Sequence, residues 1–391
     1  MLAADNIYVI YGDQPARMVP EALERVDLAA EMDPAMQVGL KPNLVVPQPA
    51  ALGATTSAEL IEGLLAYLHD HGIHRIRILE SSGVGHDTTR AFRVTGLERL
   101  AARFGVQLID LKRSAWETIG AGTFQTRVFT EALRQDFLIN LPVVKAHCQT
   151  GITCALKNLK GLIPDSEKRR YHAQGLHEPI ARLNQVIRPQ CIIADGMQGD
   201  LTFEEGGTPV AMDRILIAKD PVLLDSFVAT ALGYPIEEIR HLCLAEALGV
   251  GVGLRAPEQV VELNPCRVPG RPFVRSRALA HLAEKIDARQ ACSTCYGGLL
   301  HALARLDRGR NLKRLPSLLQ IGQGFRNIRA AGVGIGDCTR GLDLSLAGCP
   351  PRALDIRHFL ETLLARPEKG ANRAAGQRTA GQSRSPTKTA L

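Results

Sequence analysis

Short apolar segments alternate with helix-patterned stretches through the first two thirds of this 391-residue chain, and that alternation restricts the fold more than any other feature. Residues 7–11, 38–45, 75–80, 106–110, 137–141, 191–195 and 214–218 read as strands. Thr56-Ser57-Ala58-Glu59 has capping-box spacing, and Leu60, Leu64, Leu65 and Leu68 continue one helical face towards Gly72. A second helix is predicted across 88–104. Apolar strands separated by helices predict an α/β fold: a mostly parallel sheet with helices on both faces. In such sheets ligands sit beyond the carboxyl ends of the strands, so the residues there are the ones to inspect.

Texture and charge divide the chain further. Prolines and arginines crowd residues 266–275, and beyond Arg366 the sequence is small, polar and basic with no apolar period. The predicted organisation is an α/β domain over 1–266, a smaller cysteine-bearing domain over 267–365, and a disordered basic tail over 366–391. The formal net charge of +7 is uneven: residues 1–266 carry 25 basic and 32 acidic side chains, whereas 267–365 carry 16 and 7. A basic C-terminal third suits charge compensation for an anionic centre, or docking of an acidic redox partner such as a ferredoxin or flavodoxin. Nucleic acid is disfavoured, because aromatics rarely interleave with the arginines and no recognition signature occurs. No apolar run reaches membrane-spanning length, and no signal sequence precedes the first strand, which predicts a cytoplasmic protein.

Four cysteines carry the clearest chemistry. Cys292 and Cys295 form a C-x-x-C pair, Cys338 follows Gly-Val-Gly-Ile-Gly-Asp, and Cys349 sits in Gly-Cys-Pro-Pro. A C-x-x-C turn offers two thiolates to one metal, and two later cysteines beside glycine and proline can complete the shell. All-sulfur ligation predicts one 4Fe-4S cluster, with structural zinc as the alternative. The remaining cysteines, 148, 154, 191, 243 and 266, read as small buried hydrophobes.

A second constellation lies upstream. Lys41 and Asn43 end the second strand, Lys145 and His147 follow the strand at 137–141, and Thr153, Lys157, Asn158 and Lys160 come next. If a helix runs from about 151, Thr153, Lys157 and Lys160 share one face near its amino end. Four lysines and a helix N-terminus would attract a phosphate or carboxylate, so Lys41, Asn43, Thr153, Lys157, Asn158 and Lys160 are the predicted anion-binding residues. Lysines at helical spacing equally suit a solvated helix face. His147 and His172 are candidate general acids or bases, Lys145 and Asp195 join them as candidate catalytic groups, and Asp225 suits a helix start. No nucleotide-binding glycine fingerprint is present.

Lys41-Pro42-Asn43, Leu141-Pro142 with Lys145 and His147, Thr153-Cys154-Ala155-Leu156-Lys157-Asn158-Leu159-Lys160-Gly161, Asp195-Gly196 and Gly207-Thr208-Pro209 together resemble the proteins of the domain of unknown function 362. The resemblance covers about residues 35–245 and implies an iron–sulfur member, since many of that family are; it implies no particular reaction. The leading functional expectation is an iron–sulfur oxidoreductase acting on a small anionic substrate, with His147 as proton donor. A non-catalytic electron-transfer or cluster-carrier protein, and a zinc-stabilised nucleic-acid binder, are the alternatives.

Overall fold

The computed structural model describes residues 2–265, 280–309, 312–315 and 318–365. The expected boundary at 266–275, Cys266 and the tail from 366 lie outside the described residues.

In chain order the strands are β1 (Ile7–Tyr11), β2 (Val38–Pro42), β3 (Ile76–Glu80), β4 (Gln107–Asp110), β5 (Trp116–Ala121), β6 (Phe124–Phe129), β7 (Phe137–Leu141), β8 (Lys145–His147), β9 (Gly151–Thr153), β10 (Cys191–Asp200), β11 (Pro209–Ala218) and β12 (Val260–Glu262). Eight of them form one sheet in the order β12-β1-β11-β10-β7-β2-β3-β4. All neighbours are parallel except β11, which runs antiparallel to both β1 and β10. Alternate residues feed two cores. Leu138, Ile192 and Leu216 face the helices Asp165–Gln174, His177–Val186 and Pro221–Ala231; Ile139, Ile193 and Ile217 face Pro15–Val26 and Ala58–Asp70. The sheet is therefore clad on both faces, as its near-continuous apolar strands require.

Two local expectations change. The helix over 88–104 is two helices, Thr88–Val94 and Leu97–Phe104, broken where Gly96 adopts φ 84°. Residues 151–153 are not helical. They pair as β9 with β8 in a small antiparallel ribbon, and only Ala155–Asn158 is α-helical, passing into a tighter turn over Leu159–Leu162. Asp225 explains where this short helix begins: its carboxylate accepts the Ala155 and Leu156 amides at 2.7 and 3.1 Å. Thr153 thus precedes the helix, but its hydroxyl still lies 3.3 Å from Lys157 Nζ.

The cysteine region is a second, four-stranded parallel sheet, β13 (Ile286–Ala288), β14 (Leu319–Ile321), β15 (Ala330–Ile335) and β16 (Leu342–Leu346), in that order. The helices Ser293–Arg308 and Ala353–Ala365 pack on it through Leu299, Leu303, Ile356 and Leu360. It docks on the larger domain through Gln149, which accepts from Ser293 Oγ at 2.7 Å and donates to Ala291 O at 2.9 Å. Phe203 stacks on His301 with ring centroids 3.7 Å apart. Gly85, at φ 86°, passes so close to Pro350 that a Cβ there would lie 2.4 Å from its Cδ.

Candidate functional site

The carboxyl ends of both sheets meet at one cavity. Lys41, on β2, is fully buried, and its Nζ lies 2.7 Å from Glu80 Oε2 at the end of β3. The same ammonium reaches Pro42 O and, at 3.5 Å, Asn158 Oδ1, so its three hydrogens all have acceptors. Burial lowers the Lys41 pKa, and Glu80 opposes that shift. Gly161 closes over the pair: a Cβ there would sit 2.1 Å from Glu80 Oε1 and 2.6 Å from Lys41 Nζ.

Glu204 is the second internal carboxylate. Asp200 shapes its loop by accepting the amides of Thr202, Phe203 and Thr208. Glu204 Oε1 is 2.8 Å from Lys157 Nζ, and Oε2 is 2.7 Å from His147 Nε2. His147 Nδ1 accepts the Gln149 and Thr150 amides at 3.1 and 3.0 Å, which puts the neutral ring's proton on Nε2, facing Glu204 at a poor angle. Burial drops the His147 pKa to about 4. Burial would raise Glu204, but His147 and Lys157 hold it well below the ordinary range. His147, Cys148 and Glu204 each place one ligand atom within 4.8 Å of the other two, a grouping that could hold a metal. A metal on Nε2 would have to remove the ring's remaining proton while Nδ1 stays occupied, and Lys157 already holds the carboxylate, so the hydrogen bonds work against that use.

Lys145 lies behind this group, fully buried, donating to Ala54 O at 2.7 Å and Glu204 O at 2.9 Å. Burial pushes its pKa down to about 7, and two acceptors match the two hydrogens of a neutral amine. Lys145 therefore pins the Ala54 and Glu204 backbones together.

The open part of the cavity is different. Lys168 donates to Ser81 O, Ser81 Oγ and Ser82 O, each at 2.8 Å, with Asp165 at 3.3 Å. Lys160 is only half-buried, and its Nζ meets His172 Nε2 at 3.3 Å. No carboxylate pairs with Lys160 among the described residues. Burial, then the charge of Lys157, brings its pKa to about 7. Burial and Lys160 keep the His172 imidazole well below its ordinary pKa, and its buried Nδ1 has no partner.

All six predicted anion-binding residues, Lys41, Asn43, Thr153, Lys157, Asn158 and Lys160, line this cavity, together with His172 and Cys292. Asp195 lies elsewhere, beside a separate groove, accepting the amides of Ser57 and Met197. Glu80, Lys168 and Glu204 line the cavity without having been predicted. Lys168 had a legible signal, since it stands four residues before His172 on one helix. Glu204 had none.

The four C-terminal thiols gather where their strands end. Cys292 immediately precedes the helix Ser293–Arg308, Cys295 lies in its first turn, Cys338 follows β15 and Cys349 follows β16. Burial and the neighbouring thiols raise the pKa of Cys292 and Cys295, while Lys160 and Arg169 oppose the shift at Cys292. The Arg326 guanidinium lies near Cys338, and Gln323 Nε2 lies 3.9 Å from Cys292 Sγ. An all-sulfur donor set fits a soft metal centre, and because no three of these thiols come within 4.8 Å of one another, their spread suits a cluster better than a single zinc ion. Of the other described cysteines, Cys154 and Cys191 are buried and Cys148 and Cys243 partly so.

Residues 38–230 match the family model described as Domain of unknown function (DUF362). The DUF362 match thus holds Lys41, Lys157, Lys160, His172 and Glu204 but none of the four C-terminal cysteines. A thylakoid-associated protein of Synechocystis sp. is 25% identical over 228 residues, covering 56% of this chain and 69% of that protein. Among solved structures, the lactate racemase apoprotein of Thermoanaerobacterium thermosaccharolyticum is similar at a TM-score of 0.36 and 16% identity, over 63% of this chain and 58% of that one. A Thermotoga maritima protein is similar at a TM-score of 0.34 and 16% identity, over 47% and 51%. The chain thus spans little more than half of either solved structure. No helix among the described residues is long and apolar enough to cross a membrane.

Proposed function

We propose that the chain is an iron–sulfur oxidoreductase that holds a small anionic substrate between its two domains. The supporting observation is that Cys292, one of the four converging thiols, walls the same cavity as Lys157, Lys160 and His172. A 4Fe-4S cluster on Cys292, Cys295, Cys338 and Cys349 would supply electrons one at a time at that wall.

The chain's own residues supply the rest. Lys160 attracts the anion. Lys157, held by Glu204, adds one N–H. Lys160 and His172, in contact and both poised to change protonation near neutrality or below it, are the proton-handling pair; His147 and Lys145 instead position Glu204. The basic C-terminal surface would receive an acidic electron carrier.

Iron, sulfide and zinc analysis of anaerobically purified protein tests this reading. Iron and sulfide in equal amounts, lost in Cys295→Ala, support it; stoichiometric zinc without sulfide overturns it.

A further inference from the structure

The hydrogens left over in the cavity narrow the class of ligand. Lys41 and Lys168 have as many built-in acceptors as hydrogens, so neither has one to offer. Lys157 Nζ donates to Glu204 and Thr153 and keeps one hydrogen. In its ammonium form Lys160 has only His172 as a partner and keeps two. When the Lys160 ammonium donates to His172 Nε2, the neutral ring carries its proton on Nδ1, and that buried nitrogen has no acceptor. His172 is 7% exposed and lines the cavity. The facing wall is the amino end of the sixteen-residue helix Ser293–Arg308, through Cys292, Ser293 and Thr294. No side chain caps that end, which leaves its first amides for a ligand or for the thiols' centre.

Charge sets the valence. Glu80 matches Lys41 and Glu204 matches Lys157, while Asp165 is shared between Lys168 and Lys112, which lies outside the lining. Lys160 is the one lysine lining the cavity without a carboxylate among the described residues, so it is the lining cation that a ligand can pair with directly. A phosphate ester carries between one and two negative charges at neutral pH, and its second charge would meet no further unpaired lysine of the lining, whereas the Glu204 carboxylate faces the same space.

We propose that the cavity is a receptor for one small monocarboxylate, held between Lys160 with His172 on one side and the amino end of Ser293–Arg308 on the other. This rests on the anion-binding half of the proposed function and not on the identity of the metal.

Saturation-transfer NMR on the as-purified full chain tests it, with propionate as the probe and inorganic phosphate as competitor. Propionate should bind, Lys160→Met should weaken it at least tenfold, His172→Phe should weaken it several-fold, and Lys160→Arg should largely retain it. An equal concentration of phosphate should leave the signal in place. Should Lys160→Met fail to fold, the unaltered protein still decides: propionate should slow acylation of Lys160 by an N-hydroxysuccinimide ester, read by peptide mass spectrometry. Displacement by phosphate, or propionate binding and acylation indifferent to Lys160, overturns the proposal. Metal content is measured on the same samples, so loss of the iron–sulfur reading and loss of the carboxylate receptor give separate results.

Discussion

Lys160 Nζ lies 3.3 Å from His172 Nε2, and of the lysines lining the cavity it alone lacks a carboxylate partner among the described residues. The others are fixed parts of the wall. Lysines of one cavity should therefore respond differently to substitution.

Lys168→Met removes the donor shared by Ser81 O, Ser81 Oγ and Ser82 O and leaves buried acceptors unsatisfied. A loss of about 2–3 kcal/mol is expected, read from urea unfolding monitored by circular dichroism. Lys160→Met leaves no backbone acceptor unpaired and should unfold at the same urea concentration or a higher one.

Asp225→Ala uncovers the amides of Ala155 and Leu156, which sit at the start of the segment carrying Lys157, Asn158 and Lys160. The expected cost is about 1–3 kcal/mol. Hydrogen exchange should rise first at residues 155–160, because the cap acts there and not on Asp225's own helix.

Much of this was legible beforehand, and the reasons differ by residue. The large sheet follows from strands such as Phe137–Leu141, whose Leu138 and Ile139 feed opposite cores, so the run reads as almost uniformly apolar. The strand-end rule located Lys41 and Asn43. Helical spacing grouped Thr153, Lys157 and Lys160 correctly, although Thr153 is in β9: a strand running into a helix capped by Asp225 happens to bring the same side chains together. Partner geometry was not legible. Glu204 reaches Lys157 and His147 only because Asp200 folds the 200–208 loop, and nothing local in Thr-Phe-Glu-Glu signals that. For the same reason His147 read as a proton donor, whereas two backbone amides and Glu204 occupy its ring.

Stability should rise with pH above about 7. Below that pH two sets of groups oppose each other. Burial raises Glu205 and Asp225 to about 7, which favours the folded state less as pH climbs. Burial drops His147 to about 4 and holds His172 well below its ordinary value, which favours the folded state more as pH climbs through the ordinary histidine range. Burial lowers Lys145 and Lys160 to about 7, so above that pH the unfolded chain binds more protons and stability rises. Each group contributes at most about 1.4 kcal/mol per pH unit. Urea midpoints should be higher at pH 8.5 than at pH 7, and Lys160→Met should flatten that rise.

Gly161→Ala should be among the most damaging single changes in the cavity, since its Cβ would fall within 2.6 Å of both members of the Lys41–Glu80 pair. A loss of at least about 2 kcal/mol is expected, because buried ions cannot separate without exposing an unpaired charge. Thermal unfolding of the variant beside Gly297→Ala, where a Cβ meets nothing within 4 Å and, as at Gly161, the backbone is outside the left-handed region, isolates the clash.

The central claim is that the four-thiol centre and the lysine cavity form one site. Electron paramagnetic resonance of the dithionite-reduced protein, recorded with and without propionate, tests it most directly. The predicted result is an iron–sulfur signal whose shape changes when propionate is added and stays unchanged in Lys160→Met. A signal indifferent to propionate in the unaltered protein, or no iron–sulfur signal at all, would contradict it.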